Sequence, residues 1–184
     1  MLTKYTYCCL VAIVAVLGMP ACHSGAHPQP SRFGFGKTAT AAEIDSINIS
    51  IAPDGKGLPP GSGNAAAGRV IFLAKCAACH GETGTAPTSY RLVAAMSDSV
   101  RVKTIGNYWP YATTVFDYIR RAMPFNAPGS LSNEEVYQLT AFLLYRNGII
   151  DSATVLNAAN LPKIVMPARK YYVNDDRRGG DEVR

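Results

Sequence analysis

The stretch FLAKCAACHGETG, Phe72 to Gly84, decides how this chain is read. It places Cys76 and Cys79 either side of a pair of alanines, with His80 directly after them, so the spacing is C-x-x-C-H. That is the attachment signature of a c-type haem: each thiol is joined to a haem vinyl group, and the imidazole takes one axial position on the iron. Two rival uses of the same residues are weaker. A redox dithiol is expected beside a βαβ pattern, and the flanks here read helical. A structural zinc site normally takes about four ligands. Beyond the N-terminal segment the chain offers only Cys76, Cys79 and His80 of those soft types.

The N-terminus indicates the compartment. Lys4 precedes an apolar run from Cys8 to Met19, too short to span a bilayer but of the right length for the hydrophobic part of a signal peptide. The run ends in MPAC, and Ala21 before Cys22 resembles a lipoprotein processing site, with Cys22 as the lipidated first residue of the mature chain. Simple secretion with cleavage near Ala21 is the alternative. Either route exports the protein, to the periplasm and, with the lipid, onto a membrane. Of the five cysteines, Cys8 and Cys9 would leave with the leader. The charge is mildly basic, 18 Lys and Arg against 13 Asp and Glu. The Arg120-Arg121 and Arg177-Arg178 pairs are too short to point to nucleic acid.

Residues 1–21 are thus read as a leader and 22–31 as a flexible tether of Ser, Gly, Pro and His. Residues 32–63 form an arm ending in APDGKGLPPGSG, where proline and glycine exclude regular helix and central strand. The arm is expected to lie extended on a surface, the chain's own or a partner's, after a short helical turn in AAEIDSINISI. The core unit, 64–148, opens with a helix capped by Asn64 and carrying Val70, Ile71, Leu73 and Ala74. Gly68 inside it needs a packing reason. With Phe72 one turn on, it marks the place where another helix crosses. The partner is LSNEEVYQLTAFLLYRNG, with Ser132 and Glu135 as a capping box, an apolar stripe of Val136, Leu139, Phe142 and Leu143, and Asn147-Gly148 as the stop. A third helix, TTVFDYIRRA, ends before Pro124, and residues 149–184 read as a tail with little periodicity. The pattern predicts an all-α fold of three to five helices around one haem, with extended N- and C-terminal arms.

The second axial ligand follows from a short roster. His23 and His27 lie in the tether, so the core cannot supply a second histidine. Met96 follows His80 too closely to travel round the haem edge and reads as a core gap-filler. Met166 lies in the proline-broken tail. Met123 stands at a helix end before Pro124, which pushes it into extended geometry and frees its sulfur to point inward. His80/Met123 ligation would raise the reduction potential and leave no open position on the iron, making an electron relay and not a catalyst. Trp109, the single tryptophan, stands among Tyr108, Tyr111, Phe116 and Tyr118. These read as an aromatic core round the haem, with Trp109 or a tyrosine as a candidate donor to a haem propionate. Arg120 and Arg121 are candidates for pairing with propionates or a partner.

The segments GLPPGSG, CAACHG, GNYWPYATTVFDYIRRAMPF, LSNEEVYQLTAFLLYRNGII and LPKIVMPAR together resemble the cytochrome c subunit of bacterial sulfite/sulfane dehydrogenases. This is the haem partner of a molybdenum-cofactor subunit in bacterial sulfur oxidation. The resemblance covers residues 32–170, and its most specific part is YWPYATTVFDYIRRAMPF. It implies one covalent haem c on Cys76 and Cys79, with His80 and Met123 as axial ligands. It also implies electrons accepted from a molybdenum-cofactor dehydrogenase subunit and passed to a downstream cytochrome or oxidase. The Pro/Gly arm and the tail would then contact partners. Two other functions stay open on the residues alone: a free-standing exported carrier between respiratory complexes, and a haem sensor if the distal methionine is labile.

Overall fold

The computed structural model describes residues 36–85, 90–93 and 102–173. The leader, the tether with Cys22, and Met96 lie outside them. Among the described residues the elements run α1 (Ala41–Ile47), β1 (Ser62–Asn64), α2 (Ala65–Lys75), α3 (Ala77–His80), α4 (Ile105–Tyr108), α5 (Ala112–Ala122), α6 (Asn133–Arg146) and β2 (Val155–Asn157). Two short 3-10 turns follow, Leu161–Lys163 and Pro167–Tyr171. The chain divides into two compact units, 1–46 and 47–184. In the first, Thr40 and Glu43 cap α1 reciprocally, and Lys37 pairs with Glu43 at 2.8 Å. No residue of α1 is buried.

The second unit is built round α6. Its start is the predicted capping box: Ser132 N–H donates to Glu135 Oε2 at 2.9 Å, and Glu135 N–H donates to Ser132 Oγ at 3.2 Å. Its end closes in a Schellman motif. Ile149 N–H reaches back to Leu144 O at 3.0 Å and Gly148 N–H to Tyr145 O at 2.9 Å, with Gly148 at φ +67°. Between these ends the predicted stripe Val136, Leu139, Phe142 and Leu143 is buried, and so are Tyr137, Thr140, Ala141 and Leu144. A helix covered on nearly all sides is a central element, and α2, α4, α5, β1 and β2 all pack on it.

Helix α2 crosses α6 where Gly68 predicts. A Cβ on Gly68 would lie 1.9 Å from Gln138 O, and one on Gly63 would lie 2.3 Å from Gln138 N. The two glycines let the backbones touch, and Phe72 then meets Phe142 with ring centroids 5.0 Å apart. The apolar face expected for α2 is corrected by this crossing. The helix buries Ala65, Gly68 and Phe72, while Val70, Leu73 and Ala74 are exposed. Asn64 caps it as expected, accepting from Ala67 N–H at 2.9 Å.

The described part of the arm beyond Ile47, and residues 149–173, fold back onto this core. β1 pairs antiparallel with β2, Gly63 opposite Leu156. Tyr137 Oη donates to Pro59 O at 2.9 Å. Leu156, Leu161, Met166 and Ala168 are all buried. A sequence without periodicity here encodes turns that each deliver one apolar side chain to a ready-made helical surface.

Candidate haem site

Helix α2 ends at Lys75, and Cys76 is the hinge into the single turn α3. Cys79 N–H and His80 N–H both donate to Cys76 O, at 3.2 and 3.0 Å, so the turn sets the two thiols and the imidazole one helical step apart. Gly81, at φ +72°, stops the turn directly after His80.

The imidazole orientation is fixed by a group that sequence reading cannot see. His80 Nδ1 lies 3.2 Å from Tyr90 O. A carbonyl only accepts, so Nδ1 carries the hydrogen and Nε2 keeps the lone pair of a metal ligand. The loop carrying that carbonyl is anchored in turn. Leu92 N–H and Val93 N–H both donate to Gly84 O, at 2.9 and 3.1 Å. Leu92 O accepts from Asn147 Nδ2 at 3.1 Å. Asn147 therefore ends α6 and also holds the segment that orients His80, a role its C-terminal position in the sequence does not signal.

Cys76, Ala77, Leu92, Trp109, Leu131 and Met123 are partly buried side chains packed against the same apolar core. Met123 is the C-cap of α5, with φ −123° and ψ 148°, so it has left the helix as Pro124 demands. Trp109 caps α4 and meets Tyr118 edge-on at 5.5 Å. Met166 is 1% exposed, enclosed by protein on all sides as a core side chain and not a tail residue. The two arginines are engaged within the chain: Arg121 pairs with Asp117, and Arg120 Nη1 donates to Ile49 O at 3.3 Å. This donor set fits a covalently held haem: two thiols, an imidazole with a free Nε2, and a thioether released from a helix end, with Cys76 and Met123 packed against the apolar core.

The thiols differ. Burial pushes Cys76 up to about 11, against the help of Lys75, while Cys79 is exposed. At pH 7 Cys76 in the apo chain then holds on the order of a hundredth of the thiolate of an ordinary cysteine. Alkylation followed by peptide mapping is expected to label Cys79 at least about tenfold faster than Cys76. Equal rates would contradict this burial. The sign for stability follows, because the unfolded chain loses that proton first: the apo chain weakens as pH rises from the ordinary thiol range towards 11.

Residues 63–143 match the family described as cytochrome c oxidase, cbb3-type, subunit III. A chain in the crystal structure of the sulfane dehydrogenase SoxCD from Paracoccus pantotrophus is 40% identical and superposes with a TM-score of 0.68. The match covers 79% of this chain and 74% of that one. No curated protein sequence matches at a significant level.

Proposed function

The chain belongs to the c-type cytochrome family represented by its matched chain in the sulfane dehydrogenase SoxCD, and on that premise we propose that it is the single-haem electron-transfer subunit of a molybdenum-dependent sulfur-oxidising dehydrogenase. The observation that carries the reading is 40% identity sustained over 79% of the chain, well beyond the haem motif itself.

The haem supplies a reversible one-electron iron couple. Cys76 and Cys79 would hold it covalently. His80, with Nδ1 committed to Tyr90 O, would offer Nε2 to the iron. Met123 would offer its sulfur as the second side-chain ligand, and Trp109 would donate towards a propionate. A haem held by two side-chain ligands would serve as an electron relay and not turn over substrate. It takes them one at a time from the molybdenum subunit and passes them to a downstream cytochrome or oxidase. The leader exports it to the periplasm, and a lipid on Cys22 holds it at a membrane. Among the described residues no helix is long and apolar enough to cross one.

Isolation of the native protein from solubilised membranes under low salt tests this. The expected result is a stable complex with a second chain containing molybdenum in near-equal amount. Recovery of the cytochrome alone, with association rates that fall steeply with salt, would favour a free-standing carrier.

A further inference from the structure

Side chains on one face of α5 grip the arm at every second residue. Arg120 Nη1 donates to Ile49 O at 3.3 Å, Ile51 N–H donates to Asp117 Oδ1 at 3.2 Å, and Thr113 Oγ1 donates to Pro53 O at 3.3 Å. Positions 113, 117 and 120 lie on one helical stripe. Ile49 and Ile51 lie outside any helix or turn, and Pro53 stands in the turn that Gly55 N–H closes on Ala52 O at 2.9 Å, so the segment offers these three backbone groups to α5 in succession. The arm therefore runs antiparallel to α5 along a matched polar seam. Asp117 is its centre, 7% exposed, and Arg121 takes its other oxygen.

The seam lies on the helix that delivers Met123. Met123 N–H still bonds to Ile119 O at 3.1 Å, so the residue moves with the last turn of α5. On its other side residues 125–130 are all exposed, Phe125 at 87%, and are tied only through local turns, Ala127 N–H to Pro124 O at 2.9 Å and Ser130 N–H to Ala127 O at 3.3 Å. The register of Met123 on the core is thus set in large part from the α5 side.

We infer that the segment Ile49–Pro53 is a clamp on α5 that keeps Met123 seated on the haem iron, with Asp117 as its positioning residue. This rests on Met123 being the axial ligand. Opening of the clamp lets α5's last turn drift and the thioether leave, so the clamp sets how readily an outside ligand replaces it.

Imidazole binding to the ferric holoprotein reads that opening, because its apparent affinity scales with the fraction of molecules in which Met123 is off the iron. Loss of a buried hydrogen-bonded carboxylate is expected to tighten imidazole binding roughly tenfold in Asp117→Ala. Asp117→Asn keeps an acceptor for Ile51 and is expected at about threefold, as is Arg120→Met, which removes the hydrogen bond to Ile49 O. Lys37→Gln, which breaks an exposed pair with Glu43, should bind as the native protein does. Should Asp117→Ala fail to fold, the other two variants decide. Unchanged imidazole affinity with a lowered unfolding midpoint would overturn the clamp and leave Asp117 a purely structural residue. Met123→Ala separates the two levels: if it retains the sulfur-to-iron charge-transfer band, the axial assignment itself fails.

Discussion

Replacing Met123 with alanine is expected to abolish the thioether-to-ferric-iron charge-transfer band and to lower the reduction potential by tenths of a volt. Axial ligands set haem potentials over a span of ~0.8 V, and a thioether lies on the high side because it favours the ferrous state. Met123 is the proposed ligand: it sits off the end of α5 in extended conformation, partly buried against the same apolar core as Cys76, whereas Met166 is enclosed by protein at 1% exposure. Met166→Leu should accordingly keep band and potential, because a volume-conserving swap in a packed core leaves the iron untouched. Visible spectroscopy and redox titration of the two variants check this. A band that survives in Met123→Ala and disappears in Met166→Leu would reverse the assignment.

Gly68→Ala is expected to destabilise the protein by about 3 kcal/mol or more, at the upper end for overpacking, because the added methyl meets backbone rather than a movable side chain. The new Cβ would lie 1.9 Å from Gln138 O and 2.8 Å from Phe142 Cβ, so α2 must lift off α6. That separation also strains the Phe72–Phe142 contact and the hinge at Cys76. Ala66→Gly, on an exposed position of the same helix, is expected to cost about 1 kcal/mol through propensity alone. Denaturant unfolding of both variants makes the comparison. A Gly68→Ala effect no larger than that of Ala66→Gly would mean the crossing is looser than described.

The features legible in the sequence are those written in local chemistry. The capping box of Ser132 and Glu135, the Asn147-Gly148 stop, the cap at Asn64 and the release of Met123 before Pro124 each depend on a few neighbouring residues, and each is found in place. Gly68 was legible for a different reason: a glycine inside a helix is unfavourable, so it marks a close approach. What was not legible depends on the backbone or on distant surfaces. The carbonyl of Tyr90 orients His80, and any residue type could supply it. Which face of α2 turns inward is decided by α6 and not by its apolar residues, so Val70 and Leu73 end up outside. The polar seam between α5 and the arm is invisible because one side of it is pure backbone. Likewise Met166 reads as tail until β2 and the two 3-10 turns bring it into the core.

Anaerobic addition of substrate to native membranes containing this protein, with its reduced c-haem absorbance followed in time, shows whether a sulfur-oxidising partner feeds the haem. Sulfite and a persulfide-bearing thiol are used in separate runs, and the purified chain alone serves as control. Prompt reduction in membranes by at least one of the two, with none in the isolated chain, is the result predicted for a subunit fed by a sulfur-oxidising molybdenum partner. Membranes in which neither compound reduces the haem, although dithionite does so fully, would contradict that role.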